Sequence, residues 1–132
     1  MIVLDTHVLL WWVSDQSKLS NKAARLIKSQ AEHAGHLLVS SISTWEIAML
    51  VNRSRLTLRL TLEDLISQLE SIEAIRFVPV NNKIAMSAVA LPEPLHRDPA
   101  DRMIIATAKS QGCPLISADE KIRSYPHIDT VW

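Results

Sequence analysis

Five carboxylates carry the chemical interest of this chain: Asp5, Glu46, Asp98, Asp101 and Asp119. The densest group is His96-Arg97-Asp98-Pro99-Ala100-Asp101-Arg102, which runs directly into the apolar Met103-Ile104-Ile105-Ala106. Read locally, this is a helix start. Asp98 suits an N-cap, Pro99 the first helical position, and Asp101 can answer backbone N–H groups in the manner of a capping box. Each of the other acids has a similar reading as a cap or a first-turn acid favoured by the helix dipole. Gathered at one place, however, four or five carboxylates would repel one another and raise their pKa values unless positive charge lay among them. A divalent cation answers this most economically. Carboxylate and water oxygens suit Mg²⁺ or Mn²⁺, and one or two such ions activate water for phosphodiester hydrolysis without a covalent intermediate.

That chemistry requires the acids to meet, so the elements that carry them decide the matter. Met1 to Leu4 reads as a short strand ended by Asp5-Thr6, and His7 to Ser14 as a short helix. Ala23, Ala24, Ile27 and Ala31 form one face of a helix from Ser20 to about Ala34, stopped by Gly35. Leu37-Leu38-Val39 marks a strand buried on both faces, and Ser43 and Glu46, at capping-box spacing, open a helix through about Asn52. Leu56 to Leu60 reads as an extended piece or a loop, and Thr61 to Glu73 as a helix beginning on Thr61-x-x-Asp64. Ile75 to Val80 predicts a third strand and Asn82 to Leu91 a fifth helix, with Pro92 and Pro94 punctuating the approach to Asp98. The helix opened by Pro99 runs to about Gln111 and stops at Gly112. Pro114 to Ser117, Asp119 to Arg123 and Ile128 to Trp132 complete the pattern as strand, short helix and strand.

Strands alternating with helices predict a single α/β domain over residues 1–132, with a central, mostly parallel sheet of about five strands flanked by helices. In open parallel sheets, ligands bind beyond the carboxyl ends of the strands, where loops splay and helix N-termini point inward. Asp5 follows the first strand, Glu46 lies in the first turn after the second, and Asp119 follows the fourth. Asp98 and Asp101 open the helix that leads into the fourth, so all five are expected on one rim.

Composition narrows the remaining possibilities. With 132 residues, 48% apolar and 21% charged, the chain is long enough to bury a core and too apolar to stay disordered. Neither Ile2 to Leu4 nor Val8 to Val13 is long enough to span a bilayer or has the flanks of a signal peptide, so a cytoplasmic protein without membrane association is expected. The single Cys113 fits a reducing compartment and argues against a thiolate zinc site, and none of the five histidines stands in zinc-ligand spacing. Fourteen basic and fourteen acidic residues cancel, so overall charge makes no case for nucleic acid and local arrangement must.

The motifs in order resemble those of a known family. Ile2-Val3-Leu4-Asp5-Thr6, Ser43-Thr44-Trp45-Glu46-Ile47, His96 to Arg102 with Ile105-Ala106-x-Ala108, and Leu115-Ile116-Ser117-Ala118-Asp119 look like the successive motifs of PIN-domain nucleases. They are especially similar to the small VapC-like toxins of type II toxin–antitoxin pairs, and the likeness covers essentially the whole chain. The resemblance implies a Mg²⁺-dependent endoribonuclease, with Mn²⁺ as a substitute, acting on RNA and held by a cognate antitoxin. It also implies the acidic quartet Asp5, Glu46, Asp101 and Asp119, in which Asp101 is chosen over Asp98 because the family's third acid precedes the Ile-Ala-x-Ala pattern at that spacing. Asp98 becomes an additional ligand or a helix cap. Thr6 and Ser117 match hydroxyl positions beside the first and last acids and are candidates for a metal water or phosphate; Ser117 stands where family members often carry Thr.

Several residues have competing readings. Arg97 and Arg102 could hold phosphates, since guanidinium matches phosphate geometry, or could pair with the neighbouring acids. His96 reads as a loop histidine that a metal-ion mechanism does not need. Arg53, Arg55 and Arg59 could follow an RNA backbone or be solvated surface. Trp11 and Trp12 lie about 100° apart on a helix and are not expected to face one core together, so one of them is assigned to an interface, with a second copy in a homodimer or with the antitoxin. The competing function is a non-catalytic α/β module that acts through protein or RNA contacts, its acids serving as caps. A phosphatase using Asp5 as nucleophile is disfavoured, because Asp5-Thr6-His7 lacks a second acid two residues on.

Overall fold

The computed structural model describes all residues from Met1 to Trp132. Its centre is a five-stranded parallel sheet of β1 (Ile2–Leu4), β2 (Leu37–Ser40), β3 (Ile75–Val78), β4 (Leu115–Ile116) and β5 (Thr130–Val131), in the order β3-β2-β1-β4-β5. Each strand pairs in parallel with its neighbour. The seven α-helices are α1 (Thr6–Ser14), α2 (Asn21–Glu32), α3 (Ser41–Asn52), α4 (Leu62–Ser71), α5 (Asn82–Val89), α6 (Pro99–Gln111) and α7 (Glu120–Arg123), with a 3₁₀ turn at Gln16–Lys18.

The continuous apolar runs of β1 and β2 are buried on both faces, and the period of two along a strand divides them between two cores. Ile2, Leu4, Leu37 and Val39 join Val8 and Leu9 of α1, Ala23 and Ile27 of α2, and Leu65 and Leu69 of α4. Val3, Leu38 and Leu115 face the other way, onto Ile104, Ile105 and Ala108 of α6 and Ile122 of α7. Fully burying a Leu or Ile side chain contributes about 1.5–3 kcal/mol, so this two-sided burial is what holds such short strands in place.

The chain builds outward from β1 through β2 to β3, then returns to the other side of β1 for β4 and β5. That reversal lies between β1 and β4. At such a switch point the connections leave in opposite directions and open a crevice beyond the carboxyl ends of the strands. Asp5 follows β1 directly, and Ser117 to Asp119 follow β4.

Local start signals were legible and stop signals less so. Ser20, Thr61, Asn81 and Asp98 each cap the following helix with a side-chain oxygen that accepts a main-chain N–H. Gly112 ends α6 in the left-handed region at φ 63°, where glycine is favoured. Helix α3, by contrast, starts at Ser41 on a Ser40 cap, not at Ser43. The expected capping box therefore dissolves, and Glu46 sits in the second turn. Helix α2 ends at Glu32, and Ala34 rather than Gly35 takes the positive φ. Leu56 to Leu60 forms no strand.

Trp11 and Trp12, not expected to face one core together, both pack half-buried against it, and Trp132 lies over Trp11 at a ring separation of 5.8 Å. Trp45 is the exposed one, at 54%. No helix is long and apolar enough to cross a membrane.

Candidate active site

Asp5 is the hub of the rim. It caps α1, its Oδ1 accepting the Thr6 N–H at 2.8 Å, while Oδ2 accepts the Ser117 hydroxyl at 2.7 Å. The residue is 6% exposed. Burial pushes its pKa above the usual carboxylate range against the opposing effect of these two hydrogen bonds, and the nearby Asp119 charge adds to the rise. Asp119 itself is exposed, caps α7 through the Lys121 N–H at 2.9 Å, and gives its own N–H to Ser117 Oγ at 3.1 Å. A single buried serine thus ties the first and last acids together.

Glu46 approaches from α3. Its Oε1 is buried without a hydrogen-bond partner. Burial raises its pKa, a contact with Thr6 lowers it, and the charges of Asp5 and Asp98 raise it again. Thr6 and Ser43 share a hydrogen bond of 2.8 Å between their hydroxyls, which joins α1 to α3 beneath the acids. A capping role explains Asp5, Asp98 and Asp119, but it does not explain Glu46.

Asp101 comes from the first turn of α6, and its N–H donates to Asp98 Oδ1 at 2.9 Å. Its pKa is pushed up to about 6, first by burial and then by the charges of Asp5 and Asp98, with the His96 contact pulling it down. The Asp101 Oδ2 lies 2.6 Å from His96 Nε2. Asp5, Glu46, Asp98, Asp101 and Asp119 therefore form one electrostatic neighbourhood. They do not close on a common point, however: nowhere do three His, Cys, Asp or Glu side chains stand as a finished metal cage.

The donors present still suit a hard divalent cation. They are carboxylate oxygens on one rim, one of them orphaned and buried on Glu46, with no lysine or arginine ion-paired to them. Arg102 is not so paired. Its guanidinium donates to the carbonyls of Ala88 at 2.9 Å, His96 at 3.1 Å, and Leu95 and Val89 at 3.4 Å, and so clamps the preceding loop. Thr6 and Ser117 are fully buried, their hydroxyls engaged with Ser43 and Asp5. Arg97 is exposed and makes no ion pair.

Parallel strands, a switch point between β1 and β4, and acids from the β1–α1 turn, α3, α6 and the β4–α7 turn are now in place together. The sequence pattern of the PIN domain matches residues 2–128. This chain belongs to the PIN domain family. It is 38% identical over 133 positions to Ribonuclease VapC22 of Mycobacterium tuberculosis, covering 99% of this chain and 98% of that relative. In fold, this PIN domain is similar to a chain of VapBC2 from Rickettsia felis bound to a promoter DNA fragment, with a TM-score of 0.69 and 17% identity over 99% of this chain and 98% of that one. FitAcB from Neisseria gonorrhoeae gives a TM-score of 0.69 at 18% identity, over 100% and 97% of the two chains. A toxin–antitoxin complex from Klebsiella pneumoniae gives 0.66 at 18%, over 100% and 97%.

Two features of this PIN domain escaped the sequence reading. One is the His96–Asp101 pair, which joins residues five apart across a loop-to-helix corner that no helical periodicity describes. The other is a groove of about 630 Å³, away from the acids, whose lining includes Trp12, Val13, Leu56, Leu58, Leu60 and Ile72. The Leu56–Leu60 alternation was its only signal.

Proposed function

We propose that this chain is a divalent-metal-dependent endoribonuclease, the toxin half of a toxin–antitoxin pair. The observation that carries the reading is the buried Asp5 at the sheet's switch point, surrounded by Glu46, Asp101 and Asp119, with no lysine or arginine ion-paired to any of the four and His96 alone in contact, on Asp101. The 38% identity to a VapC ribonuclease along the whole chain supports the same conclusion.

Asp5, Glu46, Asp101 and Asp119 would hold Mg²⁺ or Mn²⁺, with Asp98 at the edge of the site. The cation supplies Lewis acidity that activates water and offsets phosphate charge. The chain's own groups prepare for this. Ser117 and the Thr6 N–H hold both oxygens of Asp5 in one orientation, and the Thr6–Ser43 contact fixes α1 against α3 so that Glu46 keeps its place. Arg97, exposed beside Asp98, is the arginine available to a phosphate of RNA. A nucleophilic role for Asp5 is disfavoured, because Asp5-Thr6-His7 lacks a second acid two residues on.

An antitoxin is the proposed protein partner, supported by the toxin–antitoxin complexes among the structural neighbours. A homodimer is also proposed, with Met86 and Val89, 67% and 81% exposed on α5, as the apolar surface available to it. Light scattering of the purified chain tests the dimer. The cytoplasm, where RNA and a lone free thiol are both at home, is the proposed compartment.

Incubation of purified protein with RNA and with sequence-matched DNA, each with Mg²⁺ or with chelator, tests the activity. Metal-dependent cleavage of RNA alone is expected, lost in Asp5→Asn. Cleavage that persists in that variant would sink the assignment. The rival reading, in which the acids are caps alone, predicts no Mn²⁺ heat in calorimetry.

A further inference from the structure

The loop from Ala90 to Asp98 reaches the site through His96, and three contacts fix it. Arg102 binds the loop's carbonyls at Leu95 and His96 from inside α6, while the Tyr125 hydroxyl donates to the carbonyl of Pro92 at 2.8 Å. The third contact is made by the His96 ring, whose Nε2 lies 2.6 Å from Asp101 Oδ2. Asp101 and Arg102 are neighbours on one helical turn, so the same turn grips the His96 main chain and receives its side chain.

The pair is largely shielded, with His96 20% and Asp101 15% exposed in their side chains. The other ring nitrogen, Nδ1, is buried and has no partner. An imidazole placed simply to tie a loop down would be expected to use both nitrogens or to leave one in water, because a buried polar atom without a partner costs free energy. A bare acceptor lone pair is the less costly atom to strand there, and that choice leaves the proton on Nε2, facing the carboxylate. The hydrogen bond takes up Oδ2 and leaves Asp101 Oδ1 unbonded.

Resting on the nuclease reading, the geometry points to His96 as the positioning residue for Asp101: as the Nε2–H tautomer it holds one carboxylate oxygen so that the other is presented to the divalent cation. It touches neither substrate nor reacting atoms. Partners of this kind, one step removed from a metal, orient the ligand and commonly change affinity by about 10–100-fold when removed.

The test uses Mn²⁺ as the probe, with titration calorimetry on the full chain, and long-range ¹H–¹⁵N spectra of the histidine rings at neutral pH. His96→Ala is expected to weaken Mn²⁺ binding by about 10–100-fold. His96→Gln, whose amide nitrogen occupies the place of Nε2, should restore affinity close to wild type, whereas His96→Asn, whose shorter side chain does not reach Asp101, should not. The wild-type spectrum should report the Nε2–H tautomer, a readout that does not depend on any variant folding. An Nδ1–H tautomer overturns the proposal, as does wild-type Mn²⁺ affinity in His96→Ala, or a Gln variant no better than Ala. Wild-type protein that binds Mn²⁺ but leaves RNA intact overturns the nuclease reading alone, and the affinities then still decide the role of His96. Wild-type protein that binds no Mn²⁺ overturns both.

Discussion

Each acid at the rim reaches its place by a different route, and substitutions should separate the routes. Asp5 is held at both oxygens and its charged form is disfavoured by burial. Asp5→Asn keeps an acceptor for the Thr6 N–H and removes the buried charge, so it should abolish cleavage while thermal stability stays equal or rises. A melting curve beside the RNA assay checks this. Ser117→Ala removes the donor to Asp5 and the acceptor of the Asp119 N–H at once. It should cost about 1–3 kcal/mol in denaturant unfolding, the usual penalty for unpaired buried groups, and should lower activity without removing it. Asp98 offers a sharper distinction, because asparagine caps helices as well as aspartate does. Asp98→Asn should leave stability within about 0.5 kcal/mol. Retained cleavage in that variant is expected, and its loss would promote Asp98 from cap to ligand.

At the scale of elements, α6 carries most of the burden. It places Asp101 at the rim, buries Ile104, Ile105 and Ala108 against the sheet, and through Arg102 fixes the preceding loop. Helix α4 contributes Leu65 and Leu69 to the opposite core and no acid to the rim. Loss of a cap should therefore have different consequences in the two helices. Thr61→Ala, which removes the oxygen that accepts the Asp64 N–H, should lower stability by about 1 kcal/mol and leave the activity of the folded fraction unchanged. Arg102→Lys should do the reverse of that pattern: one ammonium cannot reach four carbonyls, so the loop should loosen and activity fall by more than stability does. Steady-state cleavage rates measured beside urea unfolding of both variants check the contrast.

For the whole molecule, the clustered acids should link stability to pH and, on the proposed reading, to a metal. Burial raises the folded pKa of Asp5 and Glu46, and that of Asp101 reaches about 6 from an ordinary 3.8. A carboxyl whose pKa is raised on folding stabilises the fold while protonated, and that contribution is complete below the unfolded value and lost as pH climbs through the folded one. The metal-free protein should therefore lose stability from these groups as pH rises from about 4 to about 6, against the usual trend for paired carboxylates. Mg²⁺ or Mn²⁺ should restore it, and Mn²⁺ affinity should strengthen across the same interval, since ligands must shed protons to bind. Melting temperatures across that range, with and without Mn²⁺, check both expectations. A melting temperature that ignores the metal at every pH would contradict them.

By itself the sequence determined the kind and order of the elements, because strand runs, helix faces and caps such as Thr61 and Asp98 rest on neighbours within a few positions. It also placed Asp5, Glu46, Asp101 and Asp119 on the same side of those elements. What it could not show was the strand order, because pairing β1 with both β2 and β4 depends on contacts between distant segments. The tertiary structure alone joined Ser117 to Asp5 across 112 positions and turned Arg102 inward to four carbonyls. It also moved the start of α3 to Ser41, where Ser40 provides the cap and Ser43 is drawn to Thr6. In each case a local propensity left several partners open, and burial in the closed fold decided among them.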